Sequence, residues 1–201
     1  MDKNTHLKWQ EWFGIVHSEI EDLLYNHYLH NELQNIINRN SDIANTQSNM
    51  WRYFFITHVT YVAMGIRRQI KDNNDSVSLI RLLREMSENI QFLNNFEHLK
   101  SGDLLGKDEI RNDMNEVFGV SKKIETLADR IIAHRDRRST AQNDLPNRSD
   151  LNNSVDKLKD LLSKYHPILT NAFLPNPMPI DQDDPFVIFD KPWRRTINLN
   201  E

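Results

Sequence analysis

The chain contains no cysteine. That absence excludes a disulfide scaffold, a thiol nucleophile and cysteine-ligated zinc or iron–sulfur centres. Glycine and proline are scarce, five and seven in 201 residues, roughly half the usual share of about 12%. So few turn-forming residues argue against an all-β fold. An excess of one charge is missing too: 25 Lys+Arg stand against 29 Asp+Glu, for a net charge of −4. The chain is therefore not one that coats nucleic acid by charge alone. The longest apolar runs, Tyr61–Met64 and Phe186–Phe189 among them, are far shorter than the ~20 residues of a membrane span. Met1 to Gln10 is polar and has no apolar signal core. The expectation is a cytoplasmic protein with no membrane partner.

What is present suits a soluble helical domain. The length allows one well-packed domain with an appendage, and the 38% apolar and 27% charged shares are those of a polar globular protein. From about Thr5 to Ile37, Trp9, Phe13, Val16, Ile20 and Leu23 or Leu24 recur at steps of three and four, one face of a helix. Residues 47–71 form a second, more apolar helix, with Trp51, Phe54, Phe55, His58, Val62, Ile66 and Ile70 in its stripe. Apolar residues over most of its circumference place it centrally in a bundle. Asp75 or Ser76 is expected to cap a third helix that buries Leu79, Leu82, Leu83 and Met86.

A connection with a helical turn follows over residues 92–106. A strong helix is then expected from Asp108 to about Arg138, with Ile110, Met114, Val117, Ser121, Ile124, Leu127, Ala128 and Ile131 inward. The last runs from Asp150 to Phe173, with Pro167 positioned to kink or shorten it. The fold expectation is thus all-α: an antiparallel bundle of about five helices over residues 1–174. Residues 175–201 differ. Five prolines, an acidic cluster and the apolar Phe186–Phe189 and Trp193 describe an extended tail docked on the bundle or on a partner.

One segment carries the functional lead. Residues 121–138 hold six basic side chains against three acidic ones within an acidic protein. On a helix, Lys123, Arg130, His134 and Arg137 line one edge of the apolar stripe, and Arg130 and His134 are one turn apart. Arginine offers a fixed fork of donors to phosphate oxygens. Histidine takes or gives a proton near neutral pH. Together they suit metal-free cleavage of RNA, in which a base removes the 2′-OH proton and a cation steadies the phosphorane. The same pair near a helix C-terminus can also do no more than satisfy the dipole and the last carbonyls. Arg67 and Arg68, at the end of the second helix, carry the same two readings: dipole stabilisation, or phosphate contacts beside the Arg130/His134 edge.

Other constellations are weaker. None of the eight histidines follows a Glu-x-x-His pattern, so a di-iron centre is not expected, nor any other cofactor. His27 and His30, three apart, could share a metal, but with no carboxylate on the same face they read as a surface or boundary pair. His58 reads as a hydrogen-bonded core histidine, and as the first additional candidate if the bundle encloses a polar cleft. The aromatics Trp9, Trp12, Trp51, Tyr53, Phe54 and Phe55 read as core.

The block Arg130-Ile-Ile-Ala-His-Arg-Asp136 resembles the hallmark of the HEPN superfamily, and the chain is most similar to its abortive-infection, AbiU-like branch. Trp51 to Arg68 and Asp75 to Leu83 fit that branch loosely. The resemblance implies a small helical bundle that pairs with a second copy, each copy giving one Arg/His set to metal-independent ribonuclease chemistry. It also implies a toxin or phage-defence setting with an antitoxin or defence partner. His134 would be the general acid/base with Arg130, while Lys123, Arg135, Arg137, Arg67 and Arg68 would hold RNA phosphates. The family pattern places four to six residues between its Arg and His. Here those positions are Asp129, Ala128 and Leu127, and Arg130 leaves only three residues between. A non-catalytic dimeric scaffold, or a module that binds RNA or a partner, is therefore the second reading.

Overall fold

The computed structural model describes residues 3–40, 49–73, 75–95, 104–133 and 146–172. Six α-helices make up nearly all of it: α1 (Lys3–Arg39), α2 (Asn49–Ile70), α3 (Leu79–Glu88), the single turn α4 (Ile90–Leu93), α5 (Lys107–Leu127) and α6 (Arg148–Thr170). Among the described residues there is no strand. Nor is any described helix long and apolar enough to cross a membrane. The tail from 175 onward, and its docking, lie outside the described residues.

The expected stripes form one core. Trp9, Phe13, Val16, Ile20 and Leu23 of α1 meet Val62, Ile66 and Ile70 of α2 and Leu79, Leu82, Leu83 and Met86 of α3. Ile110, Val117 and Ile124 of α5, and Leu158, Leu162, Tyr165 and Leu169 of α6, close it from the other side. Trp12 lies between two cations, Lys8 Nζ 4.4 Å and Arg81 Cζ 4.5 Å from its ring centre, which helps tie α1 to α3. Gln69, buried, donates to Glu19 Oε2 (2.6 Å) and accepts from the Leu79 amide (3.2 Å), joining α1, α2 and the start of α3.

Two boundaries differ from expectation. The cap of α3 is Ser78, not Asp75 or Ser76: its backbone is extended, and its hydroxyl accepts from the Arg81 amide and donates to the Lys71 carbonyl. Helix α6 runs through Pro167 to Thr170 and ends at Asn171, whose left-handed backbone (φ 56°) makes the C-terminal turn.

The larger correction concerns α2. Its fully buried residues all lie in the C-terminal half, from Val62 to Ile70. Tyr53, Phe54, Phe55 and Ile56 are exposed, Tyr53 by 66%. Apolar character all round a helix does not bury it where no neighbour packs on both sides, and here the described neighbours gather on the C-terminal half.

Helices α1 and α2 approach closely at Gly65, where a Cβ would stand 2.9 Å from Leu23 Cδ1. The atom met is the far end of the buried Leu23 side chain. Gly65→Val is expected to cost about 2 kcal/mol through overpacking and a β-branched side chain in mid-helix. Gly65→Ala should come close to neutral, because its gain in helix propensity of about 1 kcal/mol offsets a smaller clash. Urea melts of the two variants check this order.

Candidate functional site

Helix α5 delivers the basic edge. After Leu127 the backbone passes into a π-helical turn, Ala128–Ala133, leading directly into His134. Single π turns within helices occur often at functional sites, because the wider turn shifts the register of the side chains that follow. Ala128 is buried and Arg130 is exposed. His134, Arg135 and Arg137 lie outside the described residues.

The remaining basic candidates fall in two places. Arg67 reaches across from α2 and pairs with Asp129, the residue before Arg130. Lys71 joins the same carboxylate at 3.0 Å and also binds Glu125 at 2.8 Å. Burial alone would raise the Asp129 carboxyl, but the hydrogen bonds from Arg67 and Lys71 outweigh it and hold it below the ordinary range. Hydrogen bonds to Glu125 and Asp129 push the Lys71 ammonium above its usual value. Arg67 thus stands beside the π turn. Arg68 turns the other way and pairs with Glu19 of α1 at 2.7 Å. Lys123 pairs with Asp150 of α6 at 3.3 Å. Of the three positions where the family pattern asks for an arginine, Ala128 is buried in the core, Leu127 lines a cavity, and Asp129 gathers Arg67 of α2 and Lys71 just past its end.

That cavity is the feature that sequence reasoning did not assemble. Its volume is about 270 Å³, and it opens where α1, α2 and α6 meet the end of α5. His27 and His30 of α1 and His58 and Phe55 of α2 line it, with Leu127, Pro146, Asn147 and Arg148. The His30 and His58 rings are stacked, 3.7 Å between centres and 3° from parallel. His27 Nε2 is 3.0 Å from Asn152 Oδ1, and His27 Nδ1 is 3.3 Å from His58 Nε2. The amide oxygen can only accept, so His27 donates through Nε2. Its Nδ1 then accepts from the His58 Nε2–H when both rings are neutral. Arg148 donates to Asn31 Oδ1 at 2.9 Å. The spacing of His27 and His30 and the apolar setting of His58 were legible in the sequence; their convergence was not. Among the described residues, no group of three or more His, Asp or Glu side chains is placed to hold a metal ion.

Neutrality of the three rings follows from the site. Burial lowers His58 to about 3, helped by His30, His27 and Arg148. Burial, His27 and Arg148 lower His30 to about 4. Burial also lowers His27, although Asn152 and Asp156 oppose it.

These shifts have a consequence for stability. Each ring titrates near 6.5 when unfolded and lower when folded, so the unfolded chain binds more protons as pH falls. The contribution is fully present above pH 6.5 and is lost as the pH drops toward 4 and 3. Because the rings are only half-buried and act on one another, we expect a loss of about 2 kcal/mol between pH 7 and 5 rather than the sum of single shifts. His58→Phe keeps a flat ring beside His30 and should lose about half of that slope. Urea midpoints across that window provide the check.

A family model described as AbiU2, of the HEPN type, matches residues 7–184, spanning every described helix from α1 to α6. No curated protein and no solved structure matches the chain.

Proposed function

The chain belongs to the AbiU2 family of HEPN proteins, and from that premise we propose that it is an RNA-directed effector, a metal-independent endoribonuclease of a toxin or phage-defence system. The observation that carries the reading is the Arg130–Asp136 block in a chain matched by this family almost end to end. The exposed Arg130, on a π turn immediately before His134, supports it.

In this reading His134 removes the proton from a ribose 2′-OH. The 2′ oxygen attacks the adjacent phosphorus, and the 5′ oxygen leaves and takes up a proton. A 2′,3′-cyclic phosphate and a 5′-OH result. Arg130, with Arg135 and Arg137, bears the negative charge that builds on the phosphoryl oxygens. Arg67, paired with Asp129 beside the π turn, would contact a phosphate only by leaving that carboxylate. A homodimer brings two such sets together, one serving as base and the other as acid. Lys123 and Arg68, paired with Asp150 and Glu19, would contact RNA only by leaving those partners.

A second reading rests on Asp129. It stands where the family pattern allows an arginine, and its charge is answered by Arg67 and Lys71. A non-catalytic dimeric scaffold, binding RNA or a protein partner through the basic edge, fits that substitution. Incubating purified protein with total RNA in EDTA, beside a His134→Ala control, separates the two. Cleavage by the wild type alone supports the nuclease. Intact RNA with both proteins, together with RNA binding by a dimer, supports the scaffold.

A further inference from the structure

We propose that the cavity between α1, α2 and α6 is a subsite for one nucleobase of the RNA strand, stacked at the His30–His58 pair with the neighbouring phosphate at Arg148. The inference rests on the RNA-directed reading and adds to it a place where the strand is held.

The lining argues for a flat heterocycle. The stacked imidazoles are parallel within 3° and supply a rigid aromatic wall. Phe55, 53% exposed, stands at the rim of the cavity with its ring centre 6.2 Å from that of His30. Successive bases bind to such platforms because every base has a π face. Val59, Leu127 and Leu151 make the remaining walls apolar. The side-chain amides of Asn31, Gln34 and Asn147 line the same space and offer donors and acceptors to a base edge. An engineered cavity of about 150 Å³ takes benzene; the 270 Å³ here leaves room for a purine or pyrimidine.

Charge and position point to the strand. Among the described residues of the lining, Arg148 is the one side chain with a formal charge at neutral pH, and its guanidinium can hold a phosphate by a fork of donors. The cavity is bounded by Leu127, the last residue of α5, and by Pro146 to Arg148, where the described chain resumes. A base seated there leaves its backbone at the end of the bundle that carries the π turn and Arg130.

The test uses the full-length His134→Ala protein, so that the RNA stays intact, and follows the ring-proton NMR signals of His27, His30 and His58 in EDTA. The titrants are the four 5′-mononucleotides and a short single-stranded RNA. The RNA is expected to shift all three histidines, and Phe55→Ala and Arg148→Ala are each expected to weaken its binding about tenfold. Both side chains are solvent-exposed, and matching circular dichroism melts would show that the variants fold. Unmoved histidine signals at millimolar RNA overturn the subsite. A mononucleotide that binds more tightly than the RNA also overturns it, marking a free-nucleotide site instead. Wild-type cleavage measured in parallel keeps the two claims apart: cleavage without histidine shifts refutes only the subsite, and shifts without cleavage refute only the nuclease.

Discussion

Replacing His134 with alanine is expected to lower the rate of RNA cleavage in EDTA by about 10²–10⁴-fold, the usual contribution of a positioned acid/base group. Affinity for RNA should change far less, because the arginines of the same segment carry most of the phosphate binding. Arg130→Ala should act on both quantities, since a guanidinium binds the ground-state phosphate and also the more highly charged phosphorane. Arg130→Lys keeps the charge but loses the fork of donors, and should recover binding better than rate. This split is what a structural role would not produce. If Arg130 merely capped the end of a helix, its removal would lower stability and leave the ratio of rate to affinity unchanged. Single-turnover cleavage and equilibrium binding, measured on the same variants, read the two effects separately.

The second large effect concerns the α5–α6 contact and lies away from the chemistry. Asp113→Ala is expected to destabilise the fold by about 3 kcal/mol, a fall of roughly 10 °C in melting temperature for a chain of this size. Asp113 is 9% exposed and accepts hydrogen bonds from the Tyr165 hydroxyl and Lys164 Nζ, both at 2.7 Å. Tyr165 is fully buried, and burial together with this carboxylate pushes its hydroxyl well above the usual range. Burial alone would lower Lys164, but its bonds to Asp113 and Glu109 outweigh that and raise it.

Deleting the carboxylate strands a buried hydroxyl and takes one of two acidic partners from Lys164. Tyr165→Phe leaves Asp113 with Lys164 and should cost only about 1 kcal/mol. Asp113→Asn keeps an acceptor for the tyrosine and should fall between the two. A thermal melt of the three variants establishes the order.

The core stripes were legible because helical periodicity is a local property. Leu79, Leu82, Leu83 and Met86, like Ile110, Val117 and Ile124, are spaced by the helix itself and are all buried. The exposed N-terminal half of α2 was not legible. Tyr53 to Ile56 are as apolar as a core helix, and periodicity cannot say how far the neighbouring helices extend alongside. The π turn at Ala128–Ala133 leaves no side-chain pattern either, since it is a change in backbone hydrogen bonding.

The candidate site divides in the same way. The Arg130–His134 edge was visible as a run of basic residues. The pairing of Arg67 with Asp129 joins residues 62 positions apart, and the histidine cavity draws on α1, α2 and α6 at once. Such convergence is decided by helix packing, which a single chain does not spell out.

The central claim concerns how the phosphodiester is broken, and the ends of the product RNA record that directly. After incubation of wild-type protein with a defined single-stranded RNA in EDTA, the fragments are expected to carry a 2′,3′-cyclic phosphate on one side of the cut and a 5′-hydroxyl on the other. Those ends require attack by the ribose 2′ oxygen with no metal present. Fragments bearing 3′-hydroxyl and 5′-phosphate ends, or cleavage that appears only when a divalent metal is restored, would contradict the account.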